Sequence, residues 1–271
     1  MKIKHTYIYI ALLCWLVVFS SCSKFNRIQK SSDMNLKYNA AIKYYENKKY
    51  YQALQLLEEL IVVFKGTDKA ENAYYYYCLS YFYTGDYTSA AYHFNNFAQT
   101  FPTSARAEEA SFYNAYCYYL DSSPSSLDQQ STYDALKQFQ LFVNRYPTST
   151  RVAECNKLMD ELRLKLEDKA YDIAKLYYKM EDYKSAIVAL GNVVKDFPAS
   201  KYREECLFLT LKSAYLYAGN SIEAKKSERY QGAIEQYTKL VEAFPTTQYL
   251  KEADKIKAQS QEKLTQLTSV N

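Results

Sequence analysis

Thiols and imidazoles are the side chains of this 271-residue sequence whose types and spacing bear most directly on chemistry, and one thiol stands apart from the rest. Cys22 follows Phe19-Ser20-Ser21 at the end of an apolar run. Two small residues ahead of a cysteine resemble the lipobox cut by the lipoprotein signal peptidase, although Phe19 departs from the usual aliphatic residue. The expected chemistry is acylation of the Cys22 thiol at a new N-terminus. The residues before it agree: Met1-Lys2-Ile3-Lys4-His5 is a short basic start, and Thr6 to Phe19 carries no charge. An apolar run of about 14 residues falls short of the roughly 20 that cross a bilayer, so residues 1–21 read as a secretory signal. The acyl chains on Cys22, at about 0.8 kcal/mol per buried methylene, would form a firm anchor. Ser23 follows the cysteine, and Ser23-Lys24-Phe25-Asn26-Arg27 has no acidic stretch. The outer membrane, on its periplasmic leaflet, is the expected address.

The remaining chemistry is sparse. His5 leaves with the signal and His93 stands alone, so neither a histidine metal cluster nor a histidine-based triad can be assembled. Carboxylates are scattered at helical spacing, and no glycine-rich phosphate loop occurs. No catalytic residue, metal or cofactor is expected, and the chain reads as a non-enzyme. Cys78, Cys117, Cys155 and Cys206 lack metal-type spacing and read as free, packed thiols, although the periplasm permits disulfides. A net charge of +4 without a basic run or stripe does not indicate binding to nucleic acid, and no such partner is expected.

Elements must position these groups, and glycine scarcity identifies them. Five glycines are too few for a sheet protein's turns and bulges. Four versions of one phrase recur: Phe101-Pro102-Thr103-Ser104, Tyr146-Pro147-Thr148-Ser149, Phe197-Pro198-Ala199-Ser200 and Phe244-Pro245-Thr246-Thr247. In each, an aromatic closes a helix, proline cannot continue it, and Ser or Thr can cap the next. Ala53, Ala90, Ala135, Ala186 and Ala233 precede the unit ends, each followed four residues later by Leu57, Phe94, Phe139, Leu190 or Tyr237. A small residue admits a second helix and the large one fills the space beside it.

The unit Tyr74-x-x-Tyr77-Cys78-x-x-Tyr81, Gly85-Asp86, Ala90-x-x-x-Phe94 and Pro102 resembles the tetratricopeptide pattern in spacing and residue class. The fold predicted is all-α, a right-handed tetratricopeptide-type solenoid of five helix hairpins plus a C-terminal capping helix. Its repeats are expected at 34–67, 70–103, 107–148, 150–199 and 201–246 and its cap at 248–267, within a solenoid over 33–271. A polar insertion, Asp121 to Ser131, extends the third unit, the fourth has a long first helix, and extra residues lie around Asn220 to Arg229 at a turn of the fifth. Residues 22–32 read as a lipidated tether without apolar periodicity.

A lipobox followed by five such units resembles the BamD family of outer-membrane assembly lipoproteins, also called YfiO-like. Glu167-x-x-Ala170-x3-Ala174-x2-Tyr177-Tyr178, Tyr183-x2-Ala186-Ile187, Phe197-Pro198 and Glu204-Glu205 sharpen the resemblance, which covers nearly all of the processed chain. The resemblance implies membership of the β-barrel assembly machinery. It implies binding of unfolded outer-membrane proteins, docking of the periplasmic domains of a BamA-like barrel component, and companion lipoproteins.

Thirty-one tyrosines add a reading of their own. The first-helix face expected to line a peptide-binding groove carries Tyr38, Ile42, Tyr45, Tyr75, Leu79, Phe82, Phe112, Tyr116 and Tyr119. Rigid aromatic surface with a hydroxyl at its tip suits an extended, aromatic-rich barrel strand. Tyr171, Lys175 and Tyr178, with Tyr202, are expected to form a partner-docking face. Anchored through a short tether, the aromatic face would stay near the membrane while the later units hold a partner deeper in the periplasm. The alternative is a periplasmic tetratricopeptide scaffold lipoprotein serving envelope integrity or division. A SusD-type nutrient lipoprotein would need about twice the length, and a lytic transglycosylase would need a further catalytic domain.

Overall fold

The computed structural model describes residues 24–269. Its helices are α1 Met34–Glu46, α2 Tyr50–Val63, α3 Ala70–Thr84, α4 Tyr87–Thr100, α5 Ala107–Asp121, α6 Gln130–Arg145, α7 Val152–Lys179, α8 Tyr183–Asp196, α9 Arg203–Gly219, α10 Glu223–Ala243 and α11 Leu250–Ser269. A short helix at 24–29 precedes them, and no strand occurs among the described residues. The fold is an all-helical repeat. It divides into two units, one of residues up to 123 with 129–159 and the other of 124–128 with 160 onward, the division falling within α7.

Three hairpin turns share one geometry. Lys48, Gly85 and Glu181 have φ of 58°, 81° and 62°, and each stands just before the N-cap of a second helix. This left-handed residue reverses the chain within one position, which glycine does without steric cost and Lys or Glu does not. Asp86 and Asp182 then accept the Ser89 and Ser185 N–H groups at 3.0 and 3.2 Å, whereas Lys49 leaves α2 without a side-chain cap.

The marker alanines work as contact points. Ala53, Ala90, Ala135, Ala186 and Ala233 are all inaccessible to solvent, as are Leu57, Phe94, Phe139 and Leu190. Tyr237 differs from its counterparts. It is only half-buried, and its hydroxyl donates to Asp254, while Leu240 fills the interior nearby. The first unit holds one cluster around Leu56, Leu60 and Tyr77 and another around Phe94, Phe97 and Cys117. The second unit has its own, around Leu190, Leu211 and Ile256.

Two expectations are corrected. The predicted tether, 22–32, is helical at 24–29 over its described part, with Ile28 buried and the Phe25 ring 5.6 Å from Tyr44, edge-on. Six residues make fewer than two turns, too short to display periodicity or to be stable alone. Packing on α1 holds them. The extra residues of the fifth hairpin do not enlarge its turn. They lengthen α10 to 21 residues, leaving 220–222 as the connection.

Candidate functional site

The closing phrases set where each first helix begins. Phe101, Tyr146, Phe197 and Phe244 are the C-caps of the helices before them. Three residues later in each case, the hydroxyls of Ser104, Ser149, Ser200 and Thr247 accept the backbone N–H of Arg106, Arg151, Tyr202 and Tyr249 at 3.0 to 3.2 Å. The same hydroxyls donate to Glu71, Glu108, Glu167 and Glu204 on the preceding first helix. Successive first helices are thereby held in register within each unit, which lines up the side chains on their shared face.

In the first unit that face is aromatic. Phe82 lies 6.3 Å from Tyr116, Tyr116 stacks on Phe112 at 5.6 Å, and Tyr119 stacks on Tyr116 at 5.7 Å with ring planes 11° apart. Four of the seven aromatic residues predicted for the groove therefore form one continuous row. Tyr45 belongs to a neighbouring group with Tyr50, Tyr76 and Tyr83, and Tyr83 links that group to Phe82. Tyr38 packs edge-on against Phe64, and its hydroxyl accepts from Asn72 Nδ2.

Tyr75 and Phe112 are not open surface. Tyr75 is 7% exposed and Phe112 3%. The Tyr75 hydroxyl donates to Glu109 Oε2 at 2.5 Å, and the Arg106 guanidinium lies over its ring at 4.6 Å. The Arg151 guanidinium covers Phe112 at 4.3 Å. Arginine planes lie flat on aromatic faces and satisfy their donors at the edge, so they seal a ring while keeping a charge in water. Burial, followed by the Glu109 hydrogen bond, raises the Tyr75 phenol above its ordinary value. Burial does the same to Tyr45. These hydroxyls stay protonated and can donate, but they offer no nucleophile.

Sequence reasoning missed Asn72, Arg106, Glu109 and Arg151, which set which rings remain open. A signal for three of them existed: Asn35 to Lys69, Tyr38 to Asn72, Asn72 to Arg106 and Tyr75 to Glu109 are hydrogen-bonded pairs 34 residues apart, one repeat length.

The second unit brings its predicted residues together in another way. The Tyr171 and Tyr202 rings stack at 3.8 Å with planes 2° apart. Lys175 Nζ donates to the Tyr171 hydroxyl at 2.6 Å and to Glu205 at 2.9 Å. Both bonds hold the Lys175 ammonium above its usual pKa. Burial pushes Tyr171 up to about 12. The Tyr202 hydroxyl donates to Asp168 at 2.8 Å. Tyr178 stands apart from this stack, 6.2 Å from Tyr183 with Lys212 Nζ 6.0 Å from its ring.

His93 sits on α4 in a box of tyrosines. It stacks on Tyr81 at 5.1 Å, and its Nδ1 is 3.4 Å from the Tyr74 hydroxyl. Burial lowers its pKa from 6.5 despite Asp86 nearby. Cys78, Cys117, Cys155 and Cys206 are free and buried. Among the described residues no group of three His, Cys, Asp or Glu side chains could hold a metal ion, and no helix is long and apolar enough to cross a membrane. Cys22, with the signal before it, lies outside the described residues.

Residues 30–229 match the family described as "YfiO: Outer membrane lipoprotein". No curated protein matches the chain. Among solved structures, the chain is similar to the TPR2AB domain of yeast Sti1, solved as a complex with pHSP90, at 11% identity and a TM-score of 0.38, covering 85% of this chain and 99% of that one. It is also similar to the de novo designed helical repeat protein DHR64 at 12% identity and a TM-score of 0.21, covering 88% and 100%.

Proposed function

The chain belongs to the YfiO family of outer membrane lipoproteins, and from that premise we propose that it serves β-barrel assembly as a lipid-anchored binding protein without catalytic activity. Cys22 carries the lipid and the folded part faces the periplasm. The first unit receives an extended segment of an unfolded outer-membrane protein, and the second docks the periplasmic domains of a BamA-like barrel component.

The observation that carries this reading is the continuous row Phe82, Phe112, Tyr116 and Tyr119. Tyr116 and Tyr119 are only partly covered, so they present flat aromatic surface with a donor at the tip. Alternate side chains of an extended strand project on one face about 7 Å apart. The two rings lie 5.7 Å apart, a spacing that such a strand can meet with aromatic side chains of its own. In the second unit, the Tyr171–Tyr202 stack and the Lys175–Glu205 pair make a preordered face that would lose little side-chain entropy on docking.

Titrating a peptide with a terminal barrel-strand sequence against the processed chain tests the first unit. Tyr116→Ala/Tyr119→Ala is expected to weaken binding about tenfold or more, in line with roughly 1–2 kcal/mol per partly buried aromatic contact. Unchanged affinity would sink the reading. A photo-crosslinking residue at Tyr202 or Lys212 tests the second unit in cells. Capture of a barrel protein's periplasmic domains supports it, while capture of division or envelope scaffolds alone favours the alternative.

A further inference from the structure

The first hairpin carries positive charge that its own structure does not use. Residues 24–49 contain seven cationic side chains and two acidic ones. Lys37 is paired with Glu59 at 2.6 Å, and Asp33 caps α1. Lys24, Arg27, Lys30, Lys43, Lys48 and Lys49 are exposed and have no ion pair among the described residues. Three of them, Lys24, Lys43 and Lys49, rim an open hollow of about 290 Å³ whose floor includes Ile28, Ala40 and Tyr44.

This charge costs the fold something at its first turn. The Gly85-Asp86 and Glu181-Asp182 turns end in an aspartate that caps the following helix, but the corresponding first-hairpin pair is Lys48-Lys49. Lys49 caps nothing, and Lys48 holds a left-handed conformation that glycine would adopt freely. Stability is given up here for two lysines.

We propose that this hollow and its rim form a docking surface for the anionic phosphate headgroups of the bilayer that holds the anchor. This rests on the Cys22 anchor proposed above. With the predicted tether replaced by a helix from Lys24, only two residue steps separate Cys22 from the rim, a reach of at most about 7 Å. That is within the roughly 8 Å over which charges act at physiological ionic strength. Acylation at Cys22 brings Lys24, Lys43 and Lys49 to headgroup level. The lipid and the lysines together then supply the two signals that stable peripheral attachment needs. The surface fixes the orientation of the first unit on the bilayer rather than leaving it free on a tether.

The test uses the processed chain from residue 22 with Cys22→Ser, so that no lipid contributes, in flotation with vesicles of phosphatidylethanolamine containing or lacking about one-third phosphatidylglycerol. Binding is expected only with phosphatidylglycerol and to fall as salt rises. Each lysine removed from the rim is expected to weaken it about fivefold. Lys49→Asp provides the sharper reading, because it installs the cap found in the other turns: it should raise the melting temperature while weakening vesicle binding. Lys239→Glu, in the other unit, should leave binding unchanged. Binding that ignores phosphatidylglycerol, or equal losses from Lys49→Asp and Lys239→Glu, would overturn the proposal. Mass analysis of the N-terminal peptide from cells reports separately whether Cys22 is acylated.

Discussion

The Ser200 hydroxyl donates to Glu167 Oε1 across 2.7 Å, in the interior, while accepting the Tyr202 N–H at 3.0 Å. One oxygen therefore ties the first helix of the fourth hairpin to the start of the fifth. Ser104 with Glu71, Ser149 with Glu108 and Thr247 with Glu204 repeat the arrangement at every junction marked by proline. The first junction has neither the proline nor the glutamate. There Thr67 bonds only its own turn, and Lys69 reaches Asn35 instead.

Removing the hydroxyl tests how much this tie is worth. Ser200→Ala leaves the Glu167 carboxylate, 7% exposed, without its partner, and should cost about 3 kcal/mol in urea unfolding. Ser104→Ala should cost nearer 1 kcal/mol, since Glu71 is only half-buried and water can replace the bond. A Ser200→Ala/Glu167→Leu double variant should recover part of the loss. Equal costs at the two junctions would contradict the assignment.

The left-handed turn residues predict opposite effects at equivalent places. Glu181→Gly should raise stability by about 1 kcal/mol, because glycine accepts φ of 62° without steric strain. Gly85→Ala should lower it by a similar amount. An added Cβ at Gly85 meets no atom within 4 Å, so the loss would be conformational alone. Melting temperatures of the two variants moving in the same direction would refute this role for the left-handed residue.

His93 makes stability sensitive to mild acid. Above pH 6.5 its imidazole is neutral in both folded and unfolded chains. As pH falls through 6.5 the unfolded chain takes up a proton that the tyrosine box resists, so stability declines, and the decline levels off below the depressed folded pKa. Between pH 7.5 and 5.5 the native chain should lose more stability than His93→Gln. Parallel curves for the two would exclude the effect.

The thiols should be silent until the chain unfolds. Burial pushes Cys155 up to about 11 and Cys206 up to about 12, and raises Cys78 and Cys117 as well, so little thiolate exists at pH 8. A colorimetric thiol reagent should find almost none in the folded chain and four in denaturant once Cys22 is acylated. Two or fewer in denaturant would indicate a disulfide.

The helices were legible because their determinants are local. Ala90 and Phe94 one turn apart, Gly85-Asp86 at a turn and Phe101-Pro102 at an end all act within a few residues, and the helical repeat follows from their recurrence. The Tyr116–Tyr119 stack was half legible for the same reason, since positions three apart share a helix face. What lay beyond the sequence reading depends on side chains about one repeat apart meeting in space. Arg106 covering Tyr75, Arg151 covering Phe112 and Ser200 reaching Glu167 require two hairpins already stacked in register. The helix at 24–29 is a further case, too short to hold itself and stabilised only once Ile28 and Phe25 find α1. Local spacing determined that helices form and where they turn. Tertiary packing decided which aromatics remain available to a partner, because burial is a property of neighbours that the repeat supplies from a distance.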